Sequence, residues 1–587
     1  SKQDTQKDPT INIDGKTALL GDKVYYRVNI DASRLTDTAY KVWRLGMTDD
    51  YDQEYLTLDA KHVEILDETG RDRTGEFNIQ DKDGVLYAFA KTVDTQIPAT
   101  GETVPGDPQP DDLKAYSEKT DKDYDPLKDP SIDQSLLGHT YQVVMPMTVT
   151  KVKDGHTVEN TATQVTNDKR DKTNTVTNPL KEINPTKDVT VQVGGDSIDG
   201  KSVYLNHTFL YRLDSSILPP GRAYQTVTDW GGTDQLATEY DQYLGNWAVY
   251  ASRDLYRDGQ VLAARGEKIA GSGFDSSKFG GNLFTVDADE NGKVTADATQ
   301  AYLDLVSADN EHEAGWVLYL QCKRIAVADE VPNTWTETIN GQPRESNKVV
   351  TKTPDMTPSI HLEKVDAPTL KQDGQERADR DDPKQALKMD ADSIGITFII
   401  TNTSKTDPAT GDGAWFKASD LDLADSTIVG DAHVDMDSLT YPADWDTLVL
   451  KPGESVSVTG TLKGVKEGDT HTDRAIVTGT PLVECAPSNG DPFNDKTDGG
   501  EDTDPEYSTG DVTEIDGKQL CADTQTTSNT DDWNGYRAKP LAYTGTAVLG
   551  LAGGALAVLL AGGSLLVFRK RHYAQGSGRH TAVNAGK

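Results

Sequence analysis

Through most of the chain, apolar and polar positions alternate in short runs rich in Thr, Val, Tyr and Asp, interrupted by Asn-Gly, Asp-Gly and Pro. Alternation with a period of two, bounded by turn-forming residues, predicts half-buried strands joined by hairpins. The β-branched and aromatic content favours the same assignment. Asn291-Gly292, between β-type flanks, predicts one such hairpin turn. The surrounding Asp287-Ala288-Asp289-Glu290-Asn291-Gly292 also opens like a calcium loop. Its twelfth position is Ala298, which has no carboxylate to offer, so no metal is expected there. One segment breaks the alternating pattern. From Thr546 to Phe568 runs an unbroken stretch of 23 apolar and small residues, followed by Arg569-Lys570-Arg571. A helix of that length crosses a hydrocarbon core of roughly 30 Å, and the basic cluster stays on the cytoplasmic side. The pattern predicts an all-β ectodomain followed by a carboxy-terminal transmembrane helix.

Composition narrows the function classes. With 587 residues the chain holds three or four domains of ordinary size. A net charge of −37 argues against nucleic-acid binding, because such a surface meets phosphates with repulsion instead of counterion release. The first residues, Ser1-Lys2-Gln3-Asp4, have no apolar stretch behind them, as expected of a chain whose export signal has been removed. Three cysteines are too few to form the main covalent framework. Cys485 and Cys521 bracket a Gly/Asp-rich loop and are expected to pair, whereas Cys322 sits in the apolar run Val317–Cys322 and reads as a buried thiol. No G-x-S-x-G elbow, H-E-x-x-H pair or phosphate-binding glycine loop is present, and the ten His residues do not cluster at metal spacing, so neither an enzyme nor a cofactor is expected.

Just ahead of the apolar run stands Leu541-Ala542-Tyr543-Thr544-Gly545. Pentapeptide, apolar run and basic tail together resemble the LPxTG-type sorting signals read by sortases of Gram-positive bacteria, with Ala542 where most carry proline, as in the LAxTG variant. The resemblance implies cleavage between Thr544 and Gly545 and transfer of the Thr544 carbonyl to peptidoglycan, so that the membrane span belongs only to the precursor. A single-pass membrane anchor is the alternative. Ile97-Pro98-Ala99-Thr100-Gly101 looks similar but is followed by Glu102 and a polar loop, without the context a sorting signal needs. That loop, Ile97 to Pro130, reads either as a recognition loop or as a solvated insertion.

The chain also repeats itself. Ile13-Asp14-Gly15-Lys16 precedes Tyr26-Arg27 by the same interval that separates Ile198-Asp199-Gly200-Lys201 from Tyr211-Arg212. Glu159-Asn160-Thr161 precedes Thr173-Asn174-Thr175-Val176 much as Pro332-Asn333-Thr334 precedes Ser346-Asn347-Lys348-Val349. Two copies of one domain are implied, residues 1–184 and 185–354, each ending at a proline-bearing junction suited to a short, stiff connection.

Val24-Tyr25-Tyr26-Arg27-Val28, Thr48-Asp49-Asp50-Tyr51, Pro185-Thr186-Lys187-Asp188-Val189 and Gln321-Cys322-Lys323-Arg324-Ile325-Ala326 closely resemble the carboxy-terminal domains of the antigen I/II family of streptococcal surface adhesins. The resemblance covers the first 354 positions. It implies tandem immunoglobulin-like β-sandwiches set end to end as a stalk, each closed by a spontaneous Lys–Asn isopeptide bond. Carried over by motif, the second unit offers Lys187, Asn333 and the acid Asp229. The first offers Asn160 and Asp49, with Lys2 as its lysine because Lys2 precedes Ile13 by the 11 positions that separate Lys187 from Ile198. Lys7 is the alternative, since Lys7-Asp8 looks like Lys187-Asp188. The chemistry needs these residue types. Burial pushes a lysine toward its neutral, nucleophilic form and an aspartic acid toward the protonated form that donates to the Asn carbonyl.

Residues 355–535 read as a third sandwich with an acidic loop or spacer, and 536–587 hold the sorting signal. Strands are expected at Ile360–Lys364, Ile394–Thr403, Leu450–Val456 and Ala475–Gly479, a pattern similar to repeats common in bacterial surface proteins. Asp473 stands where those repeats often carry asparagine. A surface salt bridge or no contact is expected of Lys364 and Asp473, ahead of a crosslink. Residues 486–540 read partly as a flexible spacer. The whole describes a peptidoglycan-anchored adhesin stalk whose partners are sortase, peptidoglycan and an unidentified host or bacterial surface ligand. A fimbrial or spacer subunit without its own ligand is the alternative, and a wall-bound enzyme the third reading.

Overall fold

The computed structural model describes residues 1–540 apart from 37–39, 108–111, 370, 373–374, 377–378, 488–491, 494–496 and 500–511. The sorting signal and its 546–568 run therefore lie outside the described residues. Among the described residues no helix is long and apolar enough to cross a membrane.

The described chain is almost entirely antiparallel β, in three successive two-sheet sandwiches. In the first, Lys2–Thr5, Lys23–Asp31, Thr140–Val149 and Leu56–Leu58 pair in that order, with Glu64–Asp67 also paired to Thr140–Val149. The facing sheet runs Lys169–Lys172, Ala162–Thr166, Leu45–Asp50, Val85–Ala90, Phe77–Lys82. The second repeats this plan. Thr186–Thr190, Thr208–Asp214, Trp316–Arg324, Asp241–Ala251 and Lys268–Gly271 form one sheet, and Phe284–Ala288, Lys293–Ala298, Trp230–Gln235, Trp335–Ile339 and Gln342–Glu345 the other. Each closes over its own apolar core, around Val28, Met47 and Met145 in the first and around Trp230, Trp316 and Trp335 in the second. Central strands are buried on alternate positions, so that Val24, Tyr26, Val28 and Ile30 all point inward.

Asn291-Gly292 closes the hairpin between Phe284–Ala288 and Lys293–Ala298, with Gly292 at φ +78° where a side chain would be strained. The carboxylate of Asp289 accepts from the amides of Asn291 and Lys293, 2.9 Å each, which uses it as a turn former. In the loop after Ile97, a short helix Leu113–Glu118 is capped by Asp112. Tyr124 from that loop stacks at 4.8 Å on Trp43, so part of the loop packs against the first sandwich.

In the third sandwich, Ile360–Val365, Ser393–Asn402, Ser455–Lys463 and His433–Val434 form one sheet. The other runs Leu387–Lys388, Asp531–Tyr536, Thr470–Gly479, Asp422–Val429. The spacer expected over part of 486–540 does not extend to residues 513–536, which are folded. Asp531–Tyr536 lies inside a sheet, and Trp533 is fully buried in the third core. Thr513–Ile515 and Lys518–Ala522 form a small sheet with Leu482–Glu484, fastened by a disulfide between Cys485 and Cys521. Phe493 packs on the second unit beside Tyr250 and Tyr319. Cys322 is a buried free thiol.

Candidate functional site

Each of the first two sandwiches buries one lysine against one aspartate. Lys2 and Lys187 sit on the first strands, Lys2–Thr5 and Thr186–Thr190, which lie at the edge of their sheets. An edge strand needs something to hold its free side, and a side-chain amide does so in both units. Asn174 accepts from the Lys2 amide at 2.9 Å and donates to the Lys2 carbonyl at 2.8 Å. Asn347 clamps Lys187 at 2.8 and 2.9 Å in the same way. Neither asparagine was assigned a role from sequence, although their matching positions in the repeat were the available signal.

With its backbone fixed, the Lys2 side chain runs inward across the Tyr26 ring, 4.7 Å from the centroid, and pairs with Asp49. Lys187 crosses Tyr211 at 4.6 Å and pairs with Asp234. All four charged side chains are 0–1 % exposed. Tyr211 is itself anchored: its hydroxyl donates to Asp241 at 2.7 Å, and Asp241 accepts from Arg324 at 2.8 Å within the core. Lys7, the alternative lysine of the first unit, is exposed.

The acid of the second unit is therefore Asp234, and the expectation of Asp229 is corrected. Asp229 lies just before the strand Trp230–Gln235, exposed, accepting from the Gly341 amide at 3.0 Å and the Thr228 hydroxyl at 3.1 Å. It serves a surface turn. Asp234 falls within that strand with its side chain inward, and both acids follow their lysines by 47 positions. That shared interval was present in the sequence and would have identified Asp234.

The asparagines occupy equivalent places. Asp49 lies opposite Ala162, two residues after Asn160, and Asp234 lies opposite Trp335, two residues after Asn333. At both asparagines the chain changes partner. Thr157–Asn160 pairs with Val176–Pro179 before Ala162–Thr166 joins the Asp49 strand, and Ala328–Asn333 pairs with Val349–Thr353 before Trp335–Ile339 joins the Asp234 strand. Asn160 lies within reach of both Asp49 and Tyr26, but no well-formed hydrogen bond satisfies its carboxamide or that of Asn333. Oδ1 of Asp49 and of Asp234 are also unpartnered. Leaving buried polar groups unpaired costs about 1–3 kcal/mol each, so two such constellations in register are a costly feature of the fold.

Burial pushes the Lys2 ammonium down to about 8 against the pull of Asp49, and it pushes the Asp49 carboxyl up against the pull of Lys2. Lys187 is likewise pushed down by burial, with Asp234 opposing. In the first unit, an amine made easier to deprotonate stands beside an acid made easier to protonate, the pair that aminolysis of a neighbouring carboxamide requires.

Asp4, two residues along the same strand, has both carboxyl oxygens buried without a hydrogen-bond partner. Burial, reinforced by Asp14, pushes it up to about 7 from 3.8. The folded chain therefore binds an extra proton between those values. That contribution to stability is fully present below about 3.8 and is lost progressively as pH rises from there through about 7, a few kcal/mol in all by pH 8. Asp4→Asn is expected to raise the melting temperature of the first unit at pH 8 and leave it nearly unchanged at pH 3, as calorimetry would show.

Paired two-sheet sandwiches with buried Lys–Asp pairs in register define a tandem repeat of one β-sandwich domain. Residues 1–180 match the family model described as the cell surface antigen I/II C2 terminal domain, and residues 184–354 the one described as the cell surface antigen C-terminus. The aggregation substance of Enterococcus faecalis is 30% identical over 324 residues, 54% of this chain and 21% of that protein, so the chain spans about a fifth of its relative's length. The C-terminal domain of the Streptococcus pyogenes antigen I/II-family protein AspA is similar at 22% identity and a TM-score of 0.44, covering 60% of this chain and 98% of that one. The Streptococcus agalactiae AgI/II polypeptide BspA C-terminal domain is similar at 18% identity and a TM-score of 0.43, covering 60% and 99%. Residues 1–354 are carboxy-terminal domains of the antigen I/II family of cell-surface proteins.

Proposed function

We propose that the chain is the stalk region of a cell-wall-anchored adhesin of a Gram-positive bacterium, stiffened by one isopeptide bond in each of its first two sandwiches. The observation that carries this reading is the repeated constellation of Lys2, Asp49 and Asn160 and of Lys187, Asp234 and Asn333. In each, the neutral lysine amine attacks Cγ of the asparagine. The aspartic acid donates to the carboxamide oxygen and relays the amine's proton to the departing nitrogen, so that one amide forms and one ammonia leaves. The reaction happens once per site and has no turnover. Each bond joins the first strand to the strand near the domain's end, so force applied along the chain loads the covalent link. Downstream, sortase would cut after Thr544 and join it to peptidoglycan, and the exposed units would meet a host or bacterial surface ligand.

Intact mass of the recombinant chain under reducing conditions tests the covalent part. The first two units are expected to contribute a deficit of two ammonias, about 17 Da each. Lys187→Ala or Asn160→Ala should each remove one of the two. A mass equal to the sequence value would refute the crosslinked stalk. Loss of surface display on Thr544→Ala, with the chain retained in the membrane fraction, is the corresponding test of the anchor.

A further inference from the structure

The third sandwich holds a cluster built to the same register but with a different electrophile. Asp425 lies opposite Ala475, and Asp473 precedes Ala475 by two residues, so Asp425 takes the place of Asp49 and Asp234 while Asp473 takes that of Asn160 and Asn333. Lys364 is on the first strand, Ile360–Val365, with Nζ 5.5 Å from the Phe398 ring centroid where the other lysines cross tyrosines. The strand is clamped as before: Asn529 accepts from the Leu362 amide at 2.8 Å and donates to its carbonyl at 2.9 Å. Lys364 Nζ pairs with Asp425 and lies 2.5 Å from Oδ1 of Asp473. The three side chains are 0–2 % exposed. The fully buried contact corrects the expectation of a surface salt bridge.

We infer that Lys364 and Asp473 form a third intramolecular isopeptide bond, made from a carboxylic acid instead of a carboxamide and releasing water. This rests on the reading proposed for the first two units. The step balances as amine plus carboxylic acid to amide plus water. Nζ attacks Cγ of protonated Asp473, Asp425 accepts the amine's proton and passes it to the departing hydroxyl, and Asp425 ends as it began. Two carboxylates around one ammonium in a dry core cannot all keep their charges cheaply, and burial with the neighbouring Asp473 pushes Asp425 up to about 6. Amide formation removes the buried lysine and Asp473 charges together. His471, 1 % exposed with its ring 3.2 Å from Oδ2 of Asp473, is a positioning residue for that carboxyl.

Tryptic digestion of the full chain followed by mass spectrometry tests this. The expected product is a branched peptide joining the Lys364 and Asp473 segments, lighter by one water, about 18 Da, than their sum. Asp473→Asn should give the same branched product, now by loss of ammonia, and Lys364→Arg should give none. Unbranched Lys364 and Asp473 peptides beside branched peptides from the first two units would overturn the third bond and leave the proposed stalk standing. A branched product seen only with Asp473→Asn would also overturn it, showing that the site can react but the acid does not. Absence of branching in all three units would overturn both readings.

Discussion

Asp234→Ala is expected to abolish the crosslink of the second unit and lower its melting temperature by roughly 15–40 °C, whereas Asp229→Ala leaves both nearly unchanged. Two terms add in the first variant. The link from Lys187 to Asn333 closes a loop of about 150 residues, for which chain entropy gives on the order of 5 kcal/mol. Removing Asp234 also leaves Lys187 buried without its counter-ion, a loss of roughly 3–5 kcal/mol. Asp229, exposed and bonded to Gly341 and Thr228, loses a turn contact of about 1 kcal/mol. Intact mass and calorimetry of the two variants read both effects. A deficit of two ammonias, and not one, in Asp234→Ala would remove Asp234 from the chemistry.

The difference between these two acids shows what was legible in the sequence. Period-two alternation marks strands wherever the inward side chains are apolar, which made Ile360–Lys364 and Ile394–Thr403 readable as strands. The lysines and asparagines were readable because the repeat places them at fixed intervals from Ile13, Ile198 and the asparagine motifs. Asp229 attracted attention through its likeness to Asp49-Asp50 at the level of local motif, but strand register decides which side chain reaches the core. Within a strand, a shift of one position reverses the face, and five positions separate the surface turn at Asp229 from the inward site at Asp234. Lys364 was visible and Asp473 was noticed. Their burial was not legible, because it depends on a strand more than 50 residues further along.

That strand carries the second large effect: Trp533→Ala is expected to destabilise the third sandwich by about 3–5 kcal/mol, lowering its melting transition on the order of 10 °C. Asp531–Tyr536 escaped sequence reading because its inward positions are mostly polar or small. Asp531, Trp533, Asn534 and Gly535 are the buried ones. The side chains of Asp531 and Asn534 are answered by specific partners. Asp531 accepts from the Lys364 amide. Asn534 accepts from the Thr472 hydroxyl at 2.6 Å and donates to the Arg380 carbonyl at 2.7 Å. A polar strand can thus be central to a sheet when each polar group is satisfied. Trp533 lies opposite Asp473 in the register and 6.4 Å from the His471 ring, so its indole helps keep water from the Lys364 cluster. The substitution should therefore also lower the yield of the Lys364–Asp473 branched peptide while leaving the first two units crosslinked. If residues 513–536 were instead only a spacer, Trp533→Ala would change neither the third melting transition nor that yield, and calorimetry of the full chain with peptide mapping separates the two cases.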